Sequence, residues 1–165
     1  MEFTLRDSRP EDLETLWAID QQCFVGGIAY SRRELSAYMR RRGAFTFVAE
    51  SRKPKDKPGT GSAAILGFIV AESNPGGAGH IITIDVLPEY RRSGLGSKLL
   101  AAAEERLWAM ACPRVQLEAA VSNVSAIAFY KRHRYAVVGT LPRYYPGGLN
   151  AFVLQKNLKP VQKTG

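Results

Sequence analysis

The chain of 165 residues has only two cysteines, Cys23 and Cys112, far apart and in neither a C-x-x-C nor a metal-ligand spacing. That excludes a disulfide scaffold and a cysteine zinc site, and the thiols read as reduced packing residues. Histidine is as scarce, with His80 and His133 alone. Lone histidines suit polar or capping roles, so no metal is expected. Long apolar runs are missing too, since the longest, about Ala63 to Ala71, falls far short of a membrane span. The stretch Met1 to Pro10 carries Glu2 and Asp7 and no apolar core, unlike a signal or transit peptide. Acid is the last shortage: 15 Asp and Glu face 23 Lys and Arg, a formal charge of +8. The excess predicts anionic company, whether nucleic acid, ribosome, membrane surface or a polyphosphate cofactor. With 45% hydrophobic and 23% charged residues and no internal repeat, one folded cytoplasmic domain over residues 1–165 is expected, with no membrane partner.

What is present reads as alternating strands and helices. Phe3 to Arg6 suits a first strand, and Pro10-Glu11-Asp12 opens a helix to about Gln22, with proline near N1 and acids at the positive dipole end. Cys23 to Tyr30 forms an apolar loop with two glycines. Ser31 and Glu34 then make a capping box for a second helix, basic through Arg32, Arg33, Arg40, Arg41 and Arg42. Ala44 to Glu50 and Ala63 to Glu72 are strand-like around the Lys-, Pro- and Gly-rich Ser51 to Ser62, a long exposed hairpin loop. His80 to Leu87 is a third strand. A helix is predicted from Leu95 to about Ala111, a strand at Val115 to Ala120 and a helix at Asn123 to His133. Strands at Tyr135 to Leu141 and Ala151 to Gln155 follow. This order implies an α+β domain, a three-layer αβα arrangement with a mixed sheet.

The most informative stretch is Ile84 to Lys98 (IDVLPEYRRSGLGSK), a strand, a basic glycine turn and a helix start. Two readings stand: a plain turn without a ligand, or a pyrophosphate cradle in which glycines admit close approach and helix-terminal amides donate. The turn lacks the Lys-Ser/Thr of a P-loop, and Leu99 occupies the third glycine position of a dinucleotide fingerprint, so neither ATP nor NAD is the natural ligand. On the strand at Val115, Leu117 and Ala119 share one face, which puts Glu118 on the other, facing solvent or a site. Tyr130, at helical spacing from Ala126 and Ile127, is either a packed aromatic or a functional phenol. Asn123 reads as an ordinary N-cap. Arg40 to Arg42 and Lys131 to Arg134 read as solvated helix ends, with an RNA or ribosomal contact as the sharper alternative.

Arg91-x-x-Gly94-x-Gly96 after a strand resembles the acetyl-CoA pyrophosphate loop of the GNAT superfamily of N-acetyltransferases. Leu117 to Tyr130 is similar to the second half of that family, and Arg143-Tyr144-Tyr145-Pro146 with Asn150 to Leu154 resembles the closing hairpin of protein N-terminal acetyltransferases, including the RimI-like type that acetylates ribosomal-protein alanine. The resemblance covers essentially the whole chain. It implies a GNAT-type mixed central sheet flanked by helices, and transfer of acetyl from acetyl-CoA to an amine by direct attack in a ternary complex. It assigns the pantetheine and thioester carbonyl to backbone near Val86 and Leu87, and the pyrophosphate to Arg91, Arg92, Ser93, Gly94, Leu95, Gly96 and Ser97. Asn123 would touch the pantetheine arm. Glu118 matches the proposed base and Tyr130 the proposed acid at the cofactor sulfur. This fits the chemistry, because an ammonium cannot attack until a base takes its proton and a departing thiolate gains from an acid. The acceptor would meet Phe24, Val25, Ile28 and Tyr30 on one side and Tyr144 and Tyr145 on the other. Arg134 stands where the family usually has glycine, and Asn150 where RimI-like chains usually have aspartate. A protein N-terminus is the implied acceptor, with a ribosome association as a further possibility. A small amine or lysine is the rival acceptor, and a basic RNA- or ribosome-binding module or an acetyl-CoA sensor the non-enzymatic alternative.

Overall fold

The computed structural model describes residues 2–24, 28–52 and 63–158. Val25 and most of the Ser51 to Ser62 loop lie outside the described residues. The strands are β1 (Phe3–Asp7), β2 (Ala44–Ser51), β3 (Ile65–Glu72), β4 (Ala78–Val86), β5 (Arg114–Ala120), β6 (Ala136–Tyr145) and β7 (Leu149–Asn157). The helices are α1 (Leu13–Cys23), α2 (Arg32–Met39), α3 (Leu95–Ala109) and α4 (Val124–Arg132). Short 3-10 turns occupy Pro10–Asp12 and Pro88–Tyr90. The strands follow the order β1-β2-β3-β4-β5-β7-β6 in a mixed sheet, the α+β class expected from the sequence.

The chain divides into two compact units, Met1–Ala71 with Thr83–Ala103, and Glu72–Ile82 with Glu104–Gly165. In the first, β1 pairs antiparallel with β2 from Phe3↔Ser51 to Asp7↔Phe47. Its core includes Leu16, Leu35, Val48, Phe68 and Leu99, each fully buried. Asp12 fixes the entry to α1: its carboxylate accepts from the Arg9 amide at 2.7 Å and from the Arg6 guanidinium at 2.8 and 3.0 Å. This local competition, with the proline at the start, tightens Pro10–Asp12 into 3-10 geometry, so α1 begins at Leu13 rather than Pro10. The capping box on α2 is present as expected, Ser31 Oγ accepting from the Glu34 amide at 3.1 Å and Glu34 from the Ser31 amide at 3.0 Å.

In the second unit, β4 pairs in parallel with β5 from Ala78↔Arg114 to His80↔Gln116. The strand starts two residues before the expected His80 because Ala78 and Gly79 find parallel partners in Arg114 and Val115 of β5, and glycine leaves room there for Leu107 of α3, which a Cβ would meet at 2.8 Å. β5 runs antiparallel to β7 from Arg114↔Asn157 to Ala120↔Ala151, and β6 closes on the far side of β7. β6 also runs past the expected Leu141 to Tyr145, with register irregularities. As an edge strand it tolerates Pro142.

Candidate active site

In the first unit, the end of β4 is held by three contacts. The Val86 carbonyl accepts from Cys23 Sγ at 3.4 Å and from Arg91 Nε at 3.1 Å, and the Leu87 amide donates to the Leu66 carbonyl at 3.0 Å. The chain then turns through exposed Arg91, Arg92, Ser93 and Gly94. Arg92 has φ +65° and Gly94 φ +83°, the left-handed region that brings successive amides to one side of the chain. Ser93 Oγ donates to the Tyr90 carbonyl at 2.5 Å, and the Lys98 amide donates to the Gly94 carbonyl at 3.1 Å, which makes Gly94 the residue before the first turn of α3. Leu95 and Gly96 therefore supply first-turn amides that no carbonyl of the same helix can satisfy, with Ser97 next in that turn. Leu95 packs its side chain inside, at 1% exposure, so only its backbone faces outward chemistry. A Cβ built on Gly94 has nothing within 4 Å, leaving open space beside these amides. A pyrophosphate fits such a turn on charge and on room.

Phe24 and Tyr30 lie at the carboxyl end of α1 and just before α2. The Phe24 amide donates to the Asp20 carbonyl at 3.0 Å, and the Tyr30 amide to Asp20 Oδ2 at 2.8 Å. The Tyr30 ring packs on Tyr38, with centroids 5.2 Å apart.

In the second unit, Glu118 does not face open water from its strand. Its side chain is 14% exposed, and its Oε2 accepts from His80 Nε2 at 2.6 Å. The parallel register sets His80 beside Gln116, so a histidine and a carboxylate on the same face of neighbouring strands meet across one step. This contact makes Nε2 the protonated nitrogen. His80 also borders an open cleft of about 290 Å³ lined with Glu72, Ser73, Asn74 and Ala78. The sequence gives His80 a polar or capping role and no tie to Glu118. The available signal was its parity on β4, but the partner appears only once the β4 and β5 register is known.

Tyr145 is half-buried, and its ring meets that of Tyr144 edge-on at 4.9 Å. Burial first, then the neighbouring Tyr144 and the charge of Glu118, push its phenol up to about 12. It stays a hydrogen-bond donor throughout the neutral range. Asn150 Oδ1 accepts from the Arg143 amide at 2.9 Å and so closes the β6–β7 hairpin, where Arg143 has φ +54°. An aspartate would accept the same bond, so the departure at Asn150 keeps the hairpin's contact.

Asn123 is the N-cap of α4, accepting from the Ala126 amide at 3.2 Å. Tyr130 sits near the other end of that helix at 7% exposure. Its carbonyl accepts from the Tyr135 amide at 3.0 Å, and the Lys131 carbonyl from the Arg134 amide at 3.1 Å, the paired bonds of a Schellman stop. The accompanying apolar contact is Tyr130 on Tyr135, edge-on at 5.7 Å. Tyr135 is anchored in turn, its hydroxyl donating to Glu104 at 2.8 Å while Lys156 donates to the same carboxylate. Burial, then the Glu104 charge, raise the Tyr135 phenol strongly. Arg134 occupies the left-handed position of this stop, with φ +72°. Arg134→Gly is expected to stabilise the chain by about 1 kcal/mol, because a side chain pays that order of penalty in this conformation. A thermal melt should rise by about 3 °C; an unchanged or lower midpoint would show that the strain is absorbed elsewhere.

Among the described residues, no group of three or more His, Cys, Asp or Glu is placed to hold a metal ion. Both cysteines are free. No helix of the described residues is long and apolar enough to cross a membrane. Arg32, Arg33, Arg40, Arg41 and Arg42 are all exposed, with Arg32 ion-paired to Glu14 and Arg41 stacked over Tyr38 at 4.6 Å.

A mixed sheet of this strand order, with a glycine turn leading from β4 into α3, is the arrangement of the GNAT proteins, a class of acetyl-CoA-dependent N-acetyltransferases. The chain belongs to that family: the acetyltransferase (GNAT) family profile matches residues 4–135. An uncharacterized N-acetyltransferase of Methanocaldococcus jannaschii is 39% identical over 100 residues, 60% of this chain and 63% of that protein. An N-alpha-acetyltransferase of Saccharolobus solfataricus is 27% identical over 165 residues, 95% of this chain and 94% of that one. Among solved structures, Ard1 from Thermoplasma volcanium superposes with a TM-score of 0.83 at 23% identity, covering 97% of this chain and 100% of that one. The ribosomal-protein-alanine N-acetyltransferase of Escherichia coli gives 0.78 at 20% identity, with 99% of each chain covered. At these identities the structural likeness is one of fold.

Proposed function

We propose that this chain, as one domain, transfers the acetyl group of acetyl-CoA to the α-amino group of a protein N-terminus by direct attack in a ternary complex. The observation that carries the reading is the His80–Glu118 pair, a carboxylate held at 2.6 Å by an imidazole N–H on a partly open strand face. The N-alpha-acetyltransferase name of the S. solfataricus relative supports an N-terminal acceptor.

The donor supplies an activated thioester. Glu118 takes the proton of the acceptor ammonium, directly or through a water, and His80 orients the carboxylate while opening onto the adjacent cleft. The freed amine forms its bond to the acetyl carbon as the bond to sulfur breaks. Tyr130, fixed by the Schellman stop and by Tyr135, gives its hydroxyl proton to the departing thiolate. Val86 and Leu87 align the thioester arm and Asn123 meets it. Arg91, Arg92, Ser93, Gly94, Leu95, Gly96 and Ser97 hold the pyrophosphate through charge and first-turn amides. Phe24, Tyr30, Tyr144 and Tyr145 contact the first residues of the acceptor, and the Tyr145 phenol donates to a peptide carbonyl. The two free cysteines fit a reducing compartment, and we assign the cytoplasm. The exposed arginines of α2 fit a contact with an anionic ribosomal surface.

The test is release of free CoA from acetyl-CoA with peptides beginning Ala, Ser or Met, a lysine peptide with a blocked N-terminus, and polyamines, with RNA as a binding control. Turnover on the free N-terminal peptides is expected, and turnover on the lysine peptide or polyamines alone would move the acceptor to a side-chain or small amine. Salt-sensitive RNA binding without turnover would retire the enzymatic reading.

A further inference from the structure

Two acids are buried together in the first unit. Asp20 of α1 is 0% exposed and Asp85 of β4 is 1% exposed, and each carboxyl acts on the titration of the other. Each has one oxygen committed elsewhere: Asp20 Oδ2 accepts from the Tyr30 amide at 2.8 Å, and Asp85 Oδ1 accepts from Thr83 Oγ1 at 2.7 Å. The other two oxygens, Asp20 Oδ1 and Asp85 Oδ2, are buried and meet no N–H or hydroxyl of another described residue. Two ionised carboxylates cannot share such a site, whereas one proton between them satisfies both remaining oxygens. Burial and then the neighbouring acid raise Asp85 well above the usual carboxylate range, and burial raises Asp20. The charged and titratable groups around the pair are Arg91, which partly offsets the rise at Asp85, and Cys23, whose thiol burial and the Asp85 charge push up to about 11.

Asp20 also grips both ends of the segment that leads from α1 to α2. Its main-chain carbonyl takes the Phe24 amide and its carboxylate takes the Tyr30 amide, while the Tyr30 carbonyl accepts from Trp17 Nε1 at 3.2 Å and from Gln21 Nε2 at 2.8 Å. We infer that Asp20 is a positioning residue for the acceptor, held by a carboxyl–carboxylate hydrogen bond to Asp85 that ties the Phe24 and Tyr30 wall to the strand end carrying Val86 and Leu87. The inference rests on the proposed role of Phe24 and Tyr30 as acceptor contacts. Its consequence is a specificity constant that depends on one buried proton: when alkaline pH removes it, the two carboxylates repel, the wall loosens and the acceptor KM climbs while the chemical step is untouched.

The experiment compares wild type, Asp20→Ala and Asp85→Asn by peptide KM and kcat across pH 6 to 9.5, with acetyl-CoA affinity alongside. Asp20→Ala is expected to raise the peptide KM about tenfold with kcat within about twofold and acetyl-CoA affinity unchanged. Asp85→Asn keeps a donor toward Asp20 that cannot ionise, so its peptide KM should stay low and flat at alkaline pH, where that of wild type rises. A loss in kcat alone for Asp20→Ala, or the same alkaline rise in Asp85→Asn as in wild type, would overturn the inference. Carboxyl-carbon NMR on the full chain provides a readout that needs no turnover. One of the two carboxyls should remain protonated at pH 7, and Asp20→Ala should strip the Tyr30 amide of its exchange protection; both acids titrating below about pH 5 would overturn the shared proton. A chain that acetylates no peptide removes the acceptor role together with the proposed function, whereas the titration and the Tyr30 protection still decide whether the pair holds the wall.

Discussion

Glu118→Gln is expected to lower kcat/KM by about 100-fold at pH 6.5 and by only about tenfold at pH 9.5. The substitution preserves the shape of the side chain and an acceptor for His80 Nε2–H, so the contact now seen at 2.6 Å survives and only the base is lost. The pH dependence follows from the acceptor. An α-amino group titrates near 7.7 to 8.0, so at pH 6.5 only about one in twenty is neutral and able to attack, and proton removal limits the rate. At pH 9.5 nearly all are neutral, and the base contributes little beyond positioning. Thiol release from acetyl-CoA measures both ends of the range. A lysine acceptor, ordinarily near 10.4, would keep the full loss to pH 9.5, which makes the same profile a test of acceptor class. An equal loss at every pH on a peptide with a free N-terminus would recast Glu118 as a group that positions the acceptor.

Gly94→Glu is expected to weaken acetyl-CoA binding by about 100-fold or more while the chain stays folded. Two effects combine. The φ of +83° at this residue admits glycine freely and costs an L residue about 1 to 2 kcal/mol. The new carboxylate would also stand beside the first-turn amides of α3 and compete there with the phosphates for the positive dipole end. Because a Cβ at this position has nothing within 4 Å, the new side chain starts into open space, and a thermal melt alongside separates a loss of binding from a loss of fold. Gly94→Ala separates the two terms: it carries the backbone strain without the charge and should lose no more than about tenfold. Calorimetric titration with acetyl-CoA checks both. An unchanged affinity in Gly94→Glu would remove the turn from the donor site.

Much of this was legible in the sequence because it depends on local rules. The capping box at Ser31 and Glu34, the N-cap at Asn123 and the glycine turn before α3 are each set within a few residues, and each is found where expected. The strand and helix order was legible for the same reason, since a period of two and a period of 3.6 are written along the chain. Expectations slipped where the neighbour in space decides. The first turn of α1 tightened because Asp12 is drawn to Arg6 and Arg9, β4 started early because Ala78 and Gly79 find partners in β5, and β6 lengthened because an edge strand needs partners on one side only.

The site divides in the same way. The residues alone left Glu118 facing solvent or a site, Tyr130 packed or functional and the glycine turn with or without a ligand; the resemblance to the GNAT superfamily is what implied a base, an acid and a phosphate cradle there. The partner of Glu118 was not legible: His80 lies 38 positions away, and only the parallel register of β4 and β5 brings the two together. Nor was the pairing of Asp20 with Asp85, since an acid in an amphipathic helix or strand reads as solvated until packing shows that both are buried. The sequence by itself determined the fold class and the element order, because short-range sterics and hydrophobic period are local properties. Only the tertiary structure decided which groups share a proton or a field, because Coulomb energy and desolvation depend on distance and burial, and neither is a function of separation along the chain.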